Sequence, residues 1–287
     1  MDALIRQVLS GAALGGIYAL VALAVVMVYQ ATRHVNFAIG ETAMFSASVA
    51  AACFQAAAPY WVGLLAAVAT AFVLGVAIER LLVERLERAS ALSVVVVMIG
   101  LLLVFNSVAG WLFGFTVRPF PSPFPPARTR YLSPHEIGVI AVSLIVVVAL
   151  YGFLQHTRLG LAMRATADNR TSSRLVGIRA GWMLALGWGV ASAIAAVAAM
   201  LVAPIVYLEP NMMSPVLIYG FAAALLGGID SPAGAVVGGF LVGMFENVAG
   251  AYLVGPELKL VAALAVIVAV LMVRPAGLFG TRPVARV

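Results

Sequence analysis

Two carboxylates, Glu41 and Glu246, stand inside long apolar runs of a chain that has only 11 acidic residues among 287. Asn36, Asn106 and Asn247 are neutral polar residues in similar surroundings. A carboxylate placed at membrane depth is costly, so each one marks a solute path or a structural contact. For Glu41 the structural alternative is an interfacial pair with Arg33; for Glu246 it is a hydrogen bond between helices. The second concentration of polar chemistry is the segment HTRLGLAMRATADNRTSSRLVGIRAG, His156 to Gly181, which holds five arginines and no lysine. Arg164 and Asp168 stand at i,i+4 and can support a helix, whereas Arg170 and Arg174 bring like charges to one face. An acidic cover would relieve the second pair. Asn169 fits the cap of a restarted helix and Gly177 a stop. The segment therefore reads as a short helix, a bend and a second short helix on a membrane face. Anionic lipid headgroups and an acidic protein surface would both suit it.

Other chemistry is narrowly bounded. Lys259 is the only lysine, and GPELKLV around it is not the G-x-x-x-x-G-K-[ST] loop that cradles nucleotide phosphates. If ATP drives this protein, another polypeptide hydrolyses it. His34, His135 and His156 show no ligand spacing, so no metal site and no cofactor are expected. The serine-hydrolase and zinc-protease signatures G-x-S-x-G and H-E-x-x-H are missing, which argues against an enzyme. A single cysteine, Cys53, excludes an intrachain disulfide. The net charge of +6 comes from arginines between apolar runs, which points to membrane orientation and not to nucleic acid.

The elements that must position these groups are membrane helices. The chain is 64% hydrophobic and 10% charged. Soluble domains lie near roughly 45–50% apolar and about 25% charged. Apolar stretches long enough to cross a bilayer predict spans at 8–30, 36–56, 60–79, 91–113, 136–154, 182–203, 213–229, 233–253 and 257–273. The expected fold is an all-α polytopic membrane protein of about eight or nine transmembrane helices, one domain over residues 1–287 with a cytoplasmic loop near 155–181. The first run is too long for a cleavable signal and is read as a span. Basic stretches at 79–90, 156–181 and 274–287 are separated by two and then four spans, so all three fit the cytoplasmic side. The N-terminus is then outside, or inside if 36–56 is re-entrant. Arg118, Arg128 and Arg130 fall outside against the rule, in a loop with five prolines between 119 and 126 that favour an extended path. Gly11 with Gly15, Gly234 with Gly238, and Gly239 with Gly243 have helix-packing spacing. GGIDSPAG (227–234) reads as a turn that makes 213–253 a close hairpin or two half-helices. Tyr18, Tyr219 and the tryptophans read as interface anchors.

The stretch GAALGGIYALVALAVVMVYQATRHVNFAIGETAMFSA (11–47) resembles the opening of the LivH-type permeases of branched-chain amino-acid ABC transporters. The family's N-F-A-x-G element appears as Asn36, Phe37, Ala38, Ile39 and Gly40, with Ile39 where the family usually has histidine. TRLGLAMRATADNRTSSRLVGI (157–178) is similar to the family's cytoplasmic loop, and GGIDSPAGAVVGG (227–239) and RPAGLFG (274–280) follow in family order. The resemblance implies that Arg158, Arg164, Ala165, Asp168, Arg170, Arg174 and Gly177 couple the chain to an ATPase. It implies that Asn36, Phe37, Gly40, Glu41 and Glu246 border a translocation path. Implied partners are a second, LivM-like permease subunit, two cytoplasmic ATPase subunits, a periplasmic substrate-binding protein and the lipid bilayer of a bacterial inner membrane. The implied cargo is leucine, isoleucine or valine, although relatives carry urea, amides or aromatic acids. An ion-coupled secondary amino-acid transporter is the reading from a different class.

Overall fold

A chain this apolar can satisfy its backbone in lipid by winding it into helices. The computed structural model describes residues 1–86, 89–125, 127 and 131–280, and among them eleven α-helices form with no sheet. In chain order they are α1 (Asp2–Thr32), α2 (Ile39–Gln55), α3 (Tyr60–Ile78), α4 (Ala91–Phe113), α5 (Pro134–His156), α6 (Arg158–Asp168), α7 (Arg170–Leu175), α8 (Ala180–Val206), α9 (Met213–Gly227), α10 (Pro232–Tyr252) and α11 (Lys259–Val273). Seven segments are long and apolar enough to cross a membrane: α1, α3 with its extension to Leu86, α4, α5, α8, α10, and α11 with the turn before it. Arg88, Arg128, Arg130, Arg282 and Arg286, used above for sidedness, lie outside the described residues.

Two of the nine expected spans are shorter than read. The 213–229 run forms a helix of 15 residues and the 36–56 run one of 17 residues. At 1.5 Å per residue these rise about 22 and 25 Å, less than a hydrocarbon core of about 30 Å. The contacts divide the chain into two compact units. One holds residues 1–26, 124–144 and the chain from Val216 onward; the other holds 27–123 and 145–215.

In the first unit the small-residue pairs sit where backbones meet. A Cβ on Gly15 would stand 2.7 Å from the Cα of Phe240, and one on Gly11 2.8 Å from that of Met244, so α1 and α10 touch without side chains between them. Gly234 and Gly238 in turn face Gly227 and Ala223 of α9. Ser231 caps α10 by accepting from the Gly234 amide at 3.0 Å. The tail folds back on this hairpin: Leu278 N–H donates to Leu226 O at 2.8 Å and Phe279 N–H to Gly227 O at 2.9 Å. Carbonyls at the end of α9 are thus capped by residues some fifty positions later, which is how the last turn of a helix finds partners outside itself.

In the second unit α8 is the central helix, with Trp188 fully enclosed, and α3 packs along it. α2 lies against α3, α8 and α4. Residues 32–34 at the end of α1, Glu79 and Glu84 beyond α3, and Asp168 and Arg170 line one cavity. The ends of α1 and α3 therefore share a face with the α6–α7 pair, and residues 33–59 must run back along the length of α3. Part of that return is not helical. Arg33 ends α1 in a left-handed conformation (φ 59°), and Asn36 then accepts the Ala38 amide at 2.9 Å to start the turn into α2. Asn36, Ala38 and Ile39 are buried, so this non-helical backbone is sheltered by protein. That is why the 36–56 helix begins late.

Candidate functional site

Glu41 sits in the first turn of α2, where the exposed amides at a helix start favour negative charge. It is 1% exposed. Ser214 Oγ reaches its Oε1 at 3.3 Å and Asn106 Nδ2 its Oε2 at 3.4 Å, both long for donors to a charged group. Asn106 Nδ2 also lies 2.9 Å from Pro210 O and 2.9 Å from Asn211 Oδ1. The partners come from α4 and from the stretch entering α9, and no Arg33 pair forms; the Arg33 guanidinium lies over the Tyr29 ring at 5.8 Å. Glu41 instead turns toward Asn106 of α4 and Ser214 at the start of α9. Gly40 is buried beside Glu41 and Phe37 is half-buried in the non-helical lead.

Glu246, in the other unit, is enclosed differently. Tyr18 Oη donates to its Oε2 at 2.7 Å, and the Tyr18 and Tyr219 rings stack at 4.8 Å. The two tyrosines are buried, so they are not the interface anchors expected from their residue type. Next along α10, Asn247 donates to the backbone and side-chain oxygens of Gln7 at 2.7 and 2.8 Å. These bonds tie α10 to α1 through the groups that a close glycine crossing leaves beside it.

The arginine-rich segment folds as two capped helices. Thr157 accepts from Gly160 N–H at 2.9 Å to begin α6, and Asn169 accepts from Ser172 N–H at 2.9 Å to begin α7. Gly177 closes the pair at φ +85°, a conformation that favours glycine. Gly160, Met163, Thr166 and Ser173 face inward. Arg158, Arg164, Asp168 and Arg174 are exposed, Ala165 is half-buried, and Leu175 and Val176 project outward at 84% and 77% exposure. Arg170 turns inward and donates to Ala31 O at 2.9 Å, in the last turn of α1. Among the described residues no group of His, Cys, Asp and Glu could hold a metal ion.

Several contributors were not singled out in the sequence. Pro210, Asn211 and Ser214 complete the Glu41 cluster across more than 100 residues, and Glu79 is buried on a π-type turn, Glu79–Val83, that extends α3. The proline and asparagine before α9 were a turn signal; nothing local to them pointed to Glu41.

A family model described as branched-chain amino acid transport system / permease component matches residues 7–271. The chain belongs to this permease family. The match runs from α1 into α11 and so takes in both compact units. The permease is 29% identical to the high-affinity branched-chain amino acid transport system permease protein LivH of Escherichia coli (strain K12), over 99% of its own length and 97% of that relative. It is 29% identical to the corresponding protein BraD of Pseudomonas aeruginosa, over 99% and 98% of the two chains. A probable branched-chain amino acid transport permease protein LivH of Methanocaldococcus jannaschii is 25% identical over 96% and 92%. Among solved structures, a chain of PsaBC from Streptococcus pneumoniae in complex with Fab aligns over 96% of the permease and 91% of itself, at 11% identity and a TM-score of 0.46. The permease is a multi-pass membrane protein of the transport class.

Proposed function

We propose that the permease is the membrane-spanning subunit of an ATP-driven importer of leucine, isoleucine and valine in the bacterial inner membrane. It acts as one transmembrane domain paired with a second, LivM-like permease subunit. Two cytoplasmic ATPase subunits dock on the loop at 155–181, and a periplasmic binding protein delivers the amino acid. The chain itself performs no covalent chemistry. Asn36, Phe37, Gly40 and Glu41 border the solute path, and Glu246 serves the packing of α1 against α10.

The observation that carries this reading is the α6–α7 pair. Its inner face is held by the body of the second unit, while its outer face offers Arg158, Arg164 and Arg174 beside exposed Leu175 and Val176. Basic and apolar groups together suit a protein surface with an acidic rim and a greasy floor. Arg170 links that pair to Ala31, five residues before the buried turn at Asn36–Ala38. Movement imposed on α7 is thereby delivered to the helix that carries Glu41.

The test is uptake of labelled leucine into proteoliposomes holding the permease, its partner permease and the ATPases, with the binding protein supplied. Uptake that requires ATP and all components is expected. Arg164→Glu should abolish it by reversing the charge on the docking face, and unchanged uptake would refute the loop assignment. Arg170→Ala should retain ATP hydrolysis while lowering the leucine carried per ATP. ATPase activity without leucine uptake in the unaltered complex would keep the importer and discard the branched-chain cargo.

A further inference from the structure

We infer that the cluster around Glu41 is the binding site for the α-ammonium group of the transported amino acid. The inference rests on the importer reading above and deepens it. The cluster is short of donors. One amide NH2, that of Asn106, has two hydrogens to share among three oxygens: Pro210 O, Asn211 Oδ1 and Glu41 Oε2. The carboxylate receives the weakest share, at 3.4 Å, and its other donor, Ser214, stands at 3.3 Å. A buried carboxylate held by two long contacts is under-satisfied.

An alkylammonium supplies what is missing. It brings three N–H donors and a positive charge, enough to meet Pro210 O, Asn211 Oδ1 and the Glu41 carboxylate together. The asparagine amide then keeps a hydrogen for whichever oxygen the solute leaves. The site is reachable, because Asn211 is exposed and Asn106 and Ser214 are half-buried, whereas Glu41 lies behind them. Pro210 also lines a small cavity of about 20 Å³, room for one water, whose wall combines Ala52, Ala109 and Leu208 with Gln55, Arg118 and Glu209. Urea and neutral amides carry N–H groups without the charge, so they leave the carboxylate uncompensated.

The test is competition against labelled L-leucine on the intact transporter in lipid nanodiscs, without the binding protein. The competitors are unlabelled L-leucine, 3-methylbutylamine, which lacks the carboxylate, and 2-hydroxy-4-methylpentanoate, which lacks the ammonium. Leucine and the amine should displace label at low concentration, and the hydroxy acid only at concentrations at least roughly tenfold higher. Displacement by the hydroxy acid as effective as that by leucine overturns the inference. Glu41→Gln should weaken leucine binding roughly tenfold or more, the scale of a charge-assisted hydrogen bond, and should leave the weak hydroxy-acid binding unchanged. Equal loss for both ligands would make Glu41 a structural residue and overturn the inference. Asn211→Leu, at an exposed position, should weaken leucine binding several-fold by removing one acceptor. If Glu41→Gln does not assemble, unchanged binding in Asn211→Leu is decisive against the site. ATP-dependent leucine uptake with no effect of either variant sinks this inference alone, whereas a transporter that carries only urea or amides sinks the cargo assignment with it.

Discussion

Glu41 and Glu246 have the same residue type and are both buried in apolar helices, yet their surroundings are opposites. Glu246 is held at 2.7 Å by a tyrosine hydroxyl whose ring is stacked on another, in a crossing so close that glycines form it. Glu41 is held at 3.3 and 3.4 Å by a serine and an asparagine that other oxygens also claim. One carboxylate is satisfied and walled by aromatic rings; the other is under-donated and fronted by polar groups that reach the surface. If Glu41 borders the path and Glu246 serves packing, as proposed, burial of a charge alone does not separate the two roles. What separates them is whether the neighbours already supply every hydrogen the carboxylate needs.

The sharpest way to break this contrast is a pair of leucine substitutions. Glu41→Leu should cut ATP-driven leucine uptake roughly a hundredfold, whereas Glu246→Leu should keep it within about threefold. Equal losses in the two proteoliposome assays would erase the distinction. Next in size, Tyr18→Phe leaves Glu246 without its short bond and should cost about 1–3 kcal/mol, read as a drop of several degrees in the thermal midpoint with leucine affinity unchanged. Tyr219 also bonds Glu246, so Tyr18→Phe and Tyr219→Phe combined with Glu246→Leu remove the carboxylate and both hydroxyls and should recover most of that loss; additive losses would show that the three groups are not coupled. The smallest effect belongs to Ser214→Ala. Its bond to Glu41 is long, so the midpoint should fall by less than about 1 kcal/mol equivalent, and a larger fall would mean that Glu41 is held as firmly as Glu246.

Span positions were legible because they depend on run length. The 91–113 reading coincides with α4, and 182–203 lies inside α8. Caps were legible for a similar reason: Asn169 and Gly177 act on backbone within a few residues of themselves. The late start of α2 was not, since the run from Asn36 onward is apolar whether its backbone is wound or extended. Asn36 turning back to the Ala38 amide decides it, and the same asparagine would suit a cap or a path residue equally. The partners of the carboxylates were also hidden. Tyr18 meets Glu246 across 228 positions and Ser214 meets Glu41 across 173, and helical periodicity says nothing about which distant face arrives. Residue type misled at Tyr18 and Tyr219, because a membrane tyrosine needs water only when no carboxylate is nearer.

The return of the RPAGLFG tail onto Leu226 and Gly227 sets a timing rule for biogenesis. The α9–α10 hairpin is synthesised well before Leu278 and Phe279 exist, so during translation the carbonyls of Leu226 and Gly227 lack the partners they finally have. The end of α9 is thus capped only once Leu278 and Phe279 have emerged, and a chain stopped before Leu278 would leave those carbonyls without these partners.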